Sequence, residues 1–467
     1  MYIEQLYTAC LAEAAYYIES DGEAAIIDPM RETQPYLELA QKRGAKIKYV
    51  LETHFHADFV SGHIDLAKKT GATIVYGPKA NPKYEVHVAG DGEELKIGKL
   101  TLKVLHTPGH TPESTCYLLL DEAGKEHAIF TGDTLFVGDV GRPDLAIKGD
   151  LTEKDLAGLL YESLNSKIKP LADEVIVYPG HGAGSSCGKN IGKETFSTIG
   201  AQKQNNYALK AQSKEEFIKE VTHNLTPPPA YFFVDAAINK NGYSNLEDVM
   251  MRNLKALSAD EAEQRQKQGA LVLDVRTAND FEKGFIPGAI NIGLDGQFAQ
   301  WAGTLLNVKQ PLVLVTPQGK EEETVLRLAR VGYENIAGYL QGGFNSWQAA
   351  GKPAETVSSV QPTEVKQLRE ADNTVILDVR KPGEVENQHI AGIQYLTLAE
   401  LPQRINELDK STNYVIHCGG GYRSMIAASM LKAKGYHKVQ NVYFGWSKLK
   451  DLDLPFVTGK LPEPVAV

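Results

Sequence analysis

The strongest constraint on the fold is an internal repeat in the second half of the chain. The segment ALVLDVRTANDFEKGFIPGAINI (270–292) matches TVILDVRKPGEVENQHIAGIQYL (374–396), and GYENIAGYLQGGFNSW (332–347) matches GYHKVQNVYFGWSKL (435–449) more loosely. Each copy begins with a short apolar strand followed by a loop, a second strand and a helix, which is typical of a parallel sheet with helices on both faces. The repeat therefore predicts two α/β domains of one kind.

The residues before this repeat form a third region of a different kind. Short apolar runs such as AAIIDP, IKYVLETH and HAIFTGDTLF alternate with turns there, which indicates many short strands. We therefore predict an α/β protein of three domains, with boundaries that give residues 1–245, 246–357 and 358–467.

The composition excludes several classes of function. The 467 residues carry a net charge of −10 and no basic block, which argues against partners such as nucleic acid or an anionic membrane. The amino-terminal residues lack a secretory signal, and no apolar run is long enough to span a bilayer. Four cysteines in a chain of this length do not make a disulfide scaffold. We expect a soluble, cytoplasmic protein with reduced thiols.

Metal-ligating residue types follow several of the predicted strands in the first region. THFHADFVSGH (53–63) supplies His54 and His56, and the motifs TPGHT, TGDT and YPGHG supply His110, Asp133 and His181. Rigid strands present the residues at their ends to a common crevice, and the adjacent glycines permit the close approach that a metal needs. The sequence therefore predicts a metal site built from these side chains.

This stretch resembles the metallo-β-lactamase fold superfamily, whose hallmark is H-x-H-x-D-H followed by later His, Asp and His residues. The resemblance implies an αββα sandwich, in which a second metal is normally held by Asp58, the residue at position 59, Asp133 and His181. Here Phe59 replaces the last histidine of the hallmark. We therefore expect one metal ion, with Asp58 and His181 as a remnant of the second site or as groups around the first.

A mononuclear centre of His54, His110 and Asp133 would consist of two imidazoles and one carboxylate with open positions. That ligand set suits non-haem Fe(II) and O₂. His56 is either a fourth ligand or a group that orients water. Zinc also accepts these ligands, so the residue types leave the metal open.

The segments TGDTLFVGDVGRPDL (131–145) and YPGHGAGSSCGK (178–189) resemble the persulfide dioxygenase branch of the superfamily, especially bacterial forms fused to rhodanese domains. The resemblance implies one Fe(II) per chain, O₂ as co-substrate, and oxidation of a thiol persulfide to sulfite. The thiol carrier could be glutathione, coenzyme A or a similar small thiol. A homo-oligomer that pairs through the metal domain is also implied.

Two further residues near the predicted metal site have alternative interpretations. Arg142 is either a clamp for an anionic thiol carrier or the partner of Asp139 or Asp144 in an ion pair. Cys187, in the small polar loop GAGSSCG, is either a catalytic thiol that accepts or relays a persulfide, or an inert loop thiol.

The last domain carries the loop HCGGGYRS (417–424) between an apolar strand and a helix. Its glycines allow backbone N–H groups to face the sulfur of Cys418, and the helix terminus and Arg423 add positive charge, which favours the thiolate. The loop resembles the C-x-x-G-x-R-S active loop of rhodanese sulfurtransferases. We predict that Cys418 and Arg423 are catalytic and that substrate binds to Gly419, Gly420, Gly421, Tyr422 and Ser424.

The middle domain has VTPQGKEEE (315–323) at the corresponding place, with Thr316 instead of the thiol. A hydroxyl is too weakly acidic to carry sulfane sulfur, and three glutamates oppose anion binding. We expect a degenerate rhodanese-like domain that serves as a spacer or docking surface.

Three functions agree with these motifs. The favoured one is a bifunctional enzyme that oxidises a persulfide with Fe(II) and O₂ and transfers sulfur through Cys418, making or using thiosulfate. The second is a Zn-dependent thioester hydrolase resembling glyoxalase II, fused to a sulfurtransferase. The third is a non-enzymatic sulfur carrier or persulfide sensor.

Overall fold

The described residues form two compact units. The structure, a computed structural model, describes residues 1–146, 151–223, 225, 227–459 and 461. The first unit comprises Met1–Val249 and Ala329–Gly332, and the second comprises Met250–Leu328 and Tyr333–Val467. Both copies of the sequence repeat lie in the second unit, apart from Ala329–Gly332. The domain boundaries near 245 and 358 stay predictions.

The first unit contains two six-stranded sheets, ordered β1-β2-β3-β4-β5-β6 and β12-β11-β10-β9-β8-β7. The strands are β1 (Tyr2–Thr8), β2 (Glu13–Ser20), β3 (Glu23–Ile27), β4 (Lys46–Glu52), β5 (Thr73–Tyr76), β6 (His87–Val88), β7 (Glu94–Ile97), β8 (Leu100–His106), β9 (Thr115–Leu120), β10 (Glu126–Gly132), β11 (Ile176–Pro179) and β12 (Ser197–Thr198). The helices are α1 (Gln34–Arg43), α2 (His63–Thr70), α3 (Glu153–Ser163), α4 (Ile199–Asn205), α5 (Tyr207–Lys210), α6 (Lys214–Thr222), α7 (Phe232–Asn241) and α8 (Leu246–Asn253).

Apolar side chains on both faces of each sheet explain the layered arrangement. Between the sheets, Tyr16 from β2 packs with Leu102 from β8 and Phe130 from β10. On the outer faces, α1 and α2 cover the first sheet, and α3 and α6 cover the second. Each fully buried aromatic or aliphatic side chain contributes roughly 1.5–3 kcal/mol. The predicted αββα sandwich is confirmed.

The strand ends lie where the sequence motifs require them. β4 ends one residue before Thr53, and β10 ends at Gly132, directly before Asp133. β11 is parallel to β10 and ends two residues before His181, so these two ends lie at the same edge of the second sheet. The sheet topology thus delivers the candidate ligands to one edge of the sandwich.

The second unit repeats one sheet topology twice, which confirms the internal repeat. The five-stranded sheets have the matching orders β13-β17-β16-β14-β15 and β18-β23-β22-β19-β21, with parallel pairing throughout, and a small antiparallel pair joins β20 to β24. In this correspondence β16 is equivalent to β22. The residues that follow these two strands are Thr316 and Cys418.

The first sheet of this unit has five strands and five helices around it in sequence order. The elements are β13 (Ala256–Leu257), α9 (Ala259–Lys267), β14 (Leu271–Asp274), α10 (Ala278–Lys283), β15 (Ile290–Asn291), α11 (Phe298–Leu305), β16 (Leu312–Val315), α12 (Glu321–Ala329), β17 (Ile336–Leu340) and α13 (Gly343–Ala349). The second copy contains β18 (Ser358–Val360), α14 (Val365–Arg369), β19 (Thr374–Asp378), α15 (Pro382–Asn387), β20 (His389–Ile390), β21 (Gln394–Tyr395), α16 (Leu401–Arg404), β22 (Asn413–His417), α17 (Tyr422–Ala433), β23 (Val439–Val442), α18 (Trp446–Leu449) and β24 (Phe456–Val457). Within the described residues, no helix has the length and apolar character needed to cross a bilayer.

The loop that carries His54 and His56 is held in place by hydrogen bonds to Asn239, a buried residue of α7. The Asn239 side-chain nitrogen donates to the carbonyl oxygens of His56 and Phe59, both at 2.8 Å, and its oxygen accepts from the Ser61 N–H at 2.9 Å. Asn239 is fully buried. These three bonds fix the backbone between β4 and α2.

We expect Asn239→Ala to lower the free energy of unfolding of the first unit by about 2–4 kcal/mol, because it leaves buried backbone groups without partners. Urea unfolding followed by circular dichroism measures this loss. Asn241→Ala is the matched control, since Asn241 is an exposed residue of the same helix. Equal stability of the two variants would contradict the assigned role of Asn239.

Candidate metal centre and thiol loop

His54, His110 and Asp133 come together in the first unit as a buried triad. Asp133 Oδ2 lies 3.4 Å from His110 Nε2 and 3.9 Å from His54 Nε2. All three side chains are buried, and their ligand atoms lie within 4.8 Å of one another. The space between two imidazole nitrogens and one carboxylate oxygen is where a metal ion would bind. The backbone is close as well, because a Cβ on Gly141 would meet the Asp133 carbonyl oxygen at 1.9 Å.

The hydrogen bonds of the histidines fix the tautomer that metal binding needs. His110 Nδ1 lies 2.9 Å from the Arg142 carbonyl oxygen, so Nδ1 donates and Nε2 keeps its lone pair. The Thr53 hydroxyl donates to Asp28 at 2.7 Å and therefore accepts from His54 Nδ1 at 3.0 Å. Both Nε2 atoms thus present lone pairs to the triad. Burial, together with the neighbouring imidazoles, lowers the pKa of His54 well below its usual value, which favours the neutral ligand form.

His56 lies outside this triad. Its Nε2 is 3.0 Å from Asp28 Oδ1 and 3.5 Å from Glu52 Oε2, and its ring lies against Phe59 with centroids 4.4 Å apart. Burial alone would lower the pKa of His56, but the Asp28 and Glu52 carboxylates raise it to about 10. An imidazolium between two buried carboxylates compensates their charge. This geometry favours a positioning role for His56 over the alternative of a fourth ligand.

A third cluster consists of Asp58, His181 and Cys187. His181 Nε2 lies 3.3 Å from Asp58 Oδ2 and 3.6 Å from Asp133 Oδ1, and His181 Nδ1 donates to the Ala12 carbonyl oxygen at 3.1 Å. The Cys187 side chain is buried beside them. Burial raises the pKa of the Cys187 thiol well above its usual value, and the Asp58 and Asp133 carboxylates raise it further. Cys187 is therefore a neutral thiol in the metal-free protein.

Arg142 forms an ion pair and also donates hydrogen bonds to the loop that carries Cys187. Its Nε and Nη2 atoms donate to the Asp144 carboxylate at 2.7 and 2.6 Å, and Nη1 donates to the Ser186 carbonyl oxygen at 3.3 Å. The Arg142 backbone N–H also donates to the Cys187 carbonyl oxygen at 2.9 Å. These contacts favour the ion-pair interpretation of Arg142, with Asp144 as the partner.

Sequence reasoning missed three buried acids around the centre, namely Glu13, Asp28 and Glu52. The Glu13 carboxylate is fully buried and finds no hydrogen-bond partner among the described residues. Burial raises the pKa values of Glu13 and Glu52 well above the usual range. The signal in the sequence was a polar residue within or directly after an apolar strand, as in LAEAAYYI and AAIIDP. His63, at the start of α2, bonds instead to the Tyr84 hydroxyl at 2.7 Å.

In the second unit, Cys418 lies in a loop built around its sulfur. The Gly421 N–H donates to Cys418 Sγ at 3.1 Å, and the Ser424 hydroxyl lies 3.5 Å away. Gly421 has φ 101° directly before α17. A Cβ on Gly445 would meet the Cys418 carbonyl oxygen at 2.2 Å, so the glycine there permits the close approach of a second loop. The sulfur thus faces the Gly421 N–H and lies close to the N-terminus of α17.

Arg423 has a fixed carboxylate partner. Its two terminal nitrogens donate to the Glu384 carboxylate at 2.6 and 2.8 Å. Arg380 likewise donates from Nε and Nη2 to the Asp378 carboxylate. Its guanidinium lies 4.0 Å from the centroid of the Trp446 ring, which is consistent with a structural role for Asp378 and Arg380. The bidentate bond orients Arg423 but offsets part of its charge.

The middle repeat completes the pocket of Cys418. A cavity of about 500 Å³ is lined by Lys381, Cys418 and Arg423 from the last repeat and by Gly296, Gln297 and Trp301 from the middle one. The Tyr422 hydroxyl donates to the Gly293 carbonyl oxygen at 2.8 Å, which joins the two repeats at the rim of the cavity.

The corresponding loop of the middle repeat bonds to a carboxylate of the same repeat. The buried Thr316 hydroxyl donates to Glu321 Oε1 at 3.2 Å, and the Gly319 N–H donates to the same oxygen at 3.3 Å. A carboxylate therefore bonds to this loop where the other copy has a sulfur. This carboxylate would repel an anionic sulfur substrate.

Two family models match the chain. The metallo-beta-lactamase superfamily model matches residues 9–181, and the rhodanese-like domain model matches residues 258–350 and residues 361–452. The two rhodanese matches coincide with the two copies of the repeat.

The chain is also similar to individual proteins. A probable hydroxyacylglutathione hydrolase of Schizosaccharomyces pombe is 34% identical over 35% of this chain and 60% of its own length. The mitochondrial persulfide dioxygenase ETHE1 of Mus musculus is 30% identical over 47% of this chain and 78% of its own length. The crystal structure of a metallo-beta-lactamase from Staphylococcus aureus is 34% identical with a TM-score of 0.65, over 72% of this chain and 98% of that one. The chain thus spans only 60% of the hydrolase.

We expect His56→Ala to keep a metal ion at the triad but to lower the stability of the first unit by about 3–5 kcal/mol, because two buried carboxylates lose their cation. His110→Ala should lose that ion while the fold persists. Atomic emission analysis and thermal unfolding of both variants measure these effects. If folded His56→Ala loses as much metal as His110→Ala, His56 is a ligand.

Proposed function

Since the chain belongs to the metallo-beta-lactamase superfamily and carries two rhodanese-like domains after that fold, we propose that it is a bifunctional enzyme of persulfide metabolism. Its first reaction oxidises a low-molecular-weight thiol persulfide to sulfite with Fe(II) and O₂. One persulfide, one O₂ and one water give one thiol, one sulfite and two protons. Its second reaction transfers sulfane sulfur through Cys418.

The observation that carries the first reaction is the ligand set of His54, His110 and Asp133. Two neutral imidazoles and one carboxylate leave open coordination positions, the arrangement found in non-haem Fe(II) oxygenases. Bound there, Fe(II) would supply the redox chemistry that O₂ needs and that Zn(II) lacks. His56 Nε2 faces the Asp28 and Glu52 carboxyl groups, at 3.0 and 3.5 Å, which would leave a coordination position open for a substrate. The similarity to a persulfide dioxygenase supports the same reaction.

Cys418 performs the second reaction as a nucleophile. Its thiolate attacks the terminal sulfur of a persulfide donor, the S–S bond breaks, and the donor leaves as a thiolate. The Gly421 N–H and the start of α17 stabilise the negative charge on the sulfur. Attack by sulfite on the Cys418 persulfide then forms thiosulfate and restores the thiolate. The reverse direction would consume thiosulfate.

The partners of this enzyme are therefore small molecules. A glutathione or coenzyme A persulfide would enter the first site, and sulfite or thiosulfate would enter the second. Placing both sites in one chain raises the concentration of sulfite near Cys418. We further propose a homo-oligomer formed through the metal domain, and a docking role for the middle repeat, which lines the Cys418 pocket.

A thioester hydrolase is the second candidate for the first site. The hydroxyacylglutathione hydrolases among the relatives favour it, and Asp58 and His181 remain close to Asp133. A zinc-bound hydroxide would be its nucleophile. Hydroxyacylglutathione cleavage by zinc-loaded protein, without O₂ consumption by iron-loaded protein, would support this candidate instead.

The two proposed reactions should separate by mutation. We expect iron-loaded protein to consume O₂ with glutathione persulfide, His110→Ala to lose this uptake because a ligand is missing, and Cys418→Ser to retain it. Thiosulfate formation from persulfide and added sulfite should persist in His110→Ala and be lost in Cys418→Ser. An oxygen electrode and thiosulfate chromatography measure both activities. Uptake no greater than that of metal-free protein would end the dioxygenase proposal.

The contribution of the middle repeat to the Cys418 pocket gives a further prediction. We expect Gln297→Glu to raise the KM for sulfite about tenfold with little change in kcat, because a carboxylate in the pocket repels the dianion, and a factor of ten is about 1.4 kcal/mol. The control is Gln264→Glu, the same charge change on an exposed residue of α9. Equal KM values for both variants would exclude Gln297 from the substrate pocket.

A further inference from the structure

The charged side chains that line the Cys418 cavity do not balance one another. Among the described residues they are Lys381, Glu384 and Arg423. The Glu384 carboxylate accepts hydrogen bonds from both terminal nitrogens of Arg423, at 2.6 and 2.8 Å, so these two charges largely offset each other. The cavity therefore keeps an excess of positive charge, and Lys381 carries it.

The ammonium group of Lys381 has no fixed partner of its own. The Lys381 backbone N–H donates to Glu384 Oε2 at 3.0 Å, but in the described part of the chain its Nζ forms no salt bridge. Loss of water around the amine, and then the nearby Arg423 guanidinium, lower the pKa of Lys381, while the Glu384 carboxylate acts in the opposite direction. A cation in these surroundings is stabilised by an anion that enters the cavity.

The internal repeat shows that Lys381 is an unfavourable residue for the start of its helix. In the middle copy, Thr277 stands at the corresponding position before α10, and its hydroxyl accepts the Asp280 N–H at 3.2 Å. Lys381 directly precedes α15, and its side chain makes no capping bond, because an ammonium group has no acceptor. Its positive charge also lies at the positive end of the helix. Helix stability therefore does not explain this lysine, whereas its place in the Cys418 cavity does.

On the basis of the proposed sulfur transfer through Cys418, we propose that Lys381 binds the SO₃ group of sulfite and of thiosulfate. Sulfite attacks the terminal sulfur of the Cys418 persulfide, the S–S bond breaks, and thiosulfate leaves while Cys418 regains its thiolate. In the reverse direction the Cys418 thiolate attacks the outer sulfur of thiosulfate, and sulfite leaves. Lys381 offsets the negative charge of the oxyanion in both directions. Loading of Cys418 from an organic persulfide involves no SO₃ group and depends little on Lys381.

Transfer kinetics on the full-length protein test this role. The donor is the persulfide of 2-mercaptoethanol, whose carrier is uncharged, and the acceptor is sulfite. Each substrate reacts with Cys418 in a separate step, so kcat/KM can be measured for each of them. We expect Lys381→Thr to lower kcat/KM for sulfite about tenfold and to leave the value for the donor nearly unchanged. The value for thiosulfate, with cyanide as acceptor, should also fall about tenfold. Lys381→Arg keeps the charge and should retain most of both values.

Lys434→Thr is the matched control, since it removes the same charge from an exposed residue of the last repeat. The capping bond of Thr277 indicates that a helix of this fold accepts threonine at the position of Lys381, and circular dichroism checks that the variant is folded. Unchanged kcat/KM for sulfite or for thiosulfate in Lys381→Thr would overturn the proposal. An equal loss for the uncharged donor would also overturn it, because Lys381 would then act on the Cys418 loop and not on the oxyanion.

Alkylation of Cys418 separates this proposal from the proposed sulfur transfer. Iodoacetate and iodoacetamide both alkylate the thiolate and release iodide, but only iodoacetate carries a negative charge, and mass spectrometry of the Cys418 peptide gives both rates. We expect the ratio of the iodoacetate rate to the iodoacetamide rate to fall about fivefold in Lys381→Thr and to stay constant in Lys434→Thr. If the ratio falls but the unaltered protein forms no thiosulfate, the anion site stands and the sulfur transfer is refuted. If the ratio stays constant while thiosulfate forms, the role of Lys381 is refuted and the sulfur transfer remains.

Discussion

Burial of charge at the edge of the two sheets is the constraint on which the first unit depends. Asp28, Glu52 and Asp133 are fully enclosed, and a carboxyl group in such a place must take up a proton or pair with a cation. The chain supplies one for the first two acids, since His56 lies between them. Asp133 faces imidazole nitrogens that carry lone pairs rather than protons. His56 thus lies between carboxyl groups, whereas His54, His110 and His181 keep the lone pairs that a metal ion would need.

In the second unit, the two copies of the repeat differ in how the loop at Cys418 or Thr316 accommodates a negative charge. In the last repeat, the Gly421 N–H donates to Cys418 Sγ directly before the start of α17, an arrangement that suits a negative sulfur. In the middle repeat, Glu321 bonds to the equivalent loop, and Thr316 donates to it. One fold thus provides one loop in which a thiol faces a backbone donor and one loop that bonds to its own glutamate side chain. The middle repeat contributes to the Cys418 pocket, because Gln297 and Trp301 line it.

Under the proposed function, the two units would catalyse two consecutive reactions of sulfur. Oxidation at the first site would yield sulfite, and the Cys418 persulfide would be consumed by the same sulfite. The histidine tautomers, the Asn239 bonds to the His56 loop and the bidentate Arg423 pair all serve to hold reacting groups in place. Each depends on a contact between residues far apart in the sequence.

The sequence by itself determined the repeat, the α/β architecture and the types of residue at the strand ends. Strand ends can be located from apolar runs, and so His54, His110, Asp133 and Cys418 could be selected without a structure. The sequence did not determine how nine polar side chains divide among three clusters. Only the tertiary structure turned His56 toward Asp28 and brought Cys187 to Asp58 and His181. The reason is that side-chain direction depends on the charges supplied by other strands and loops, and spacing along one strand does not specify them.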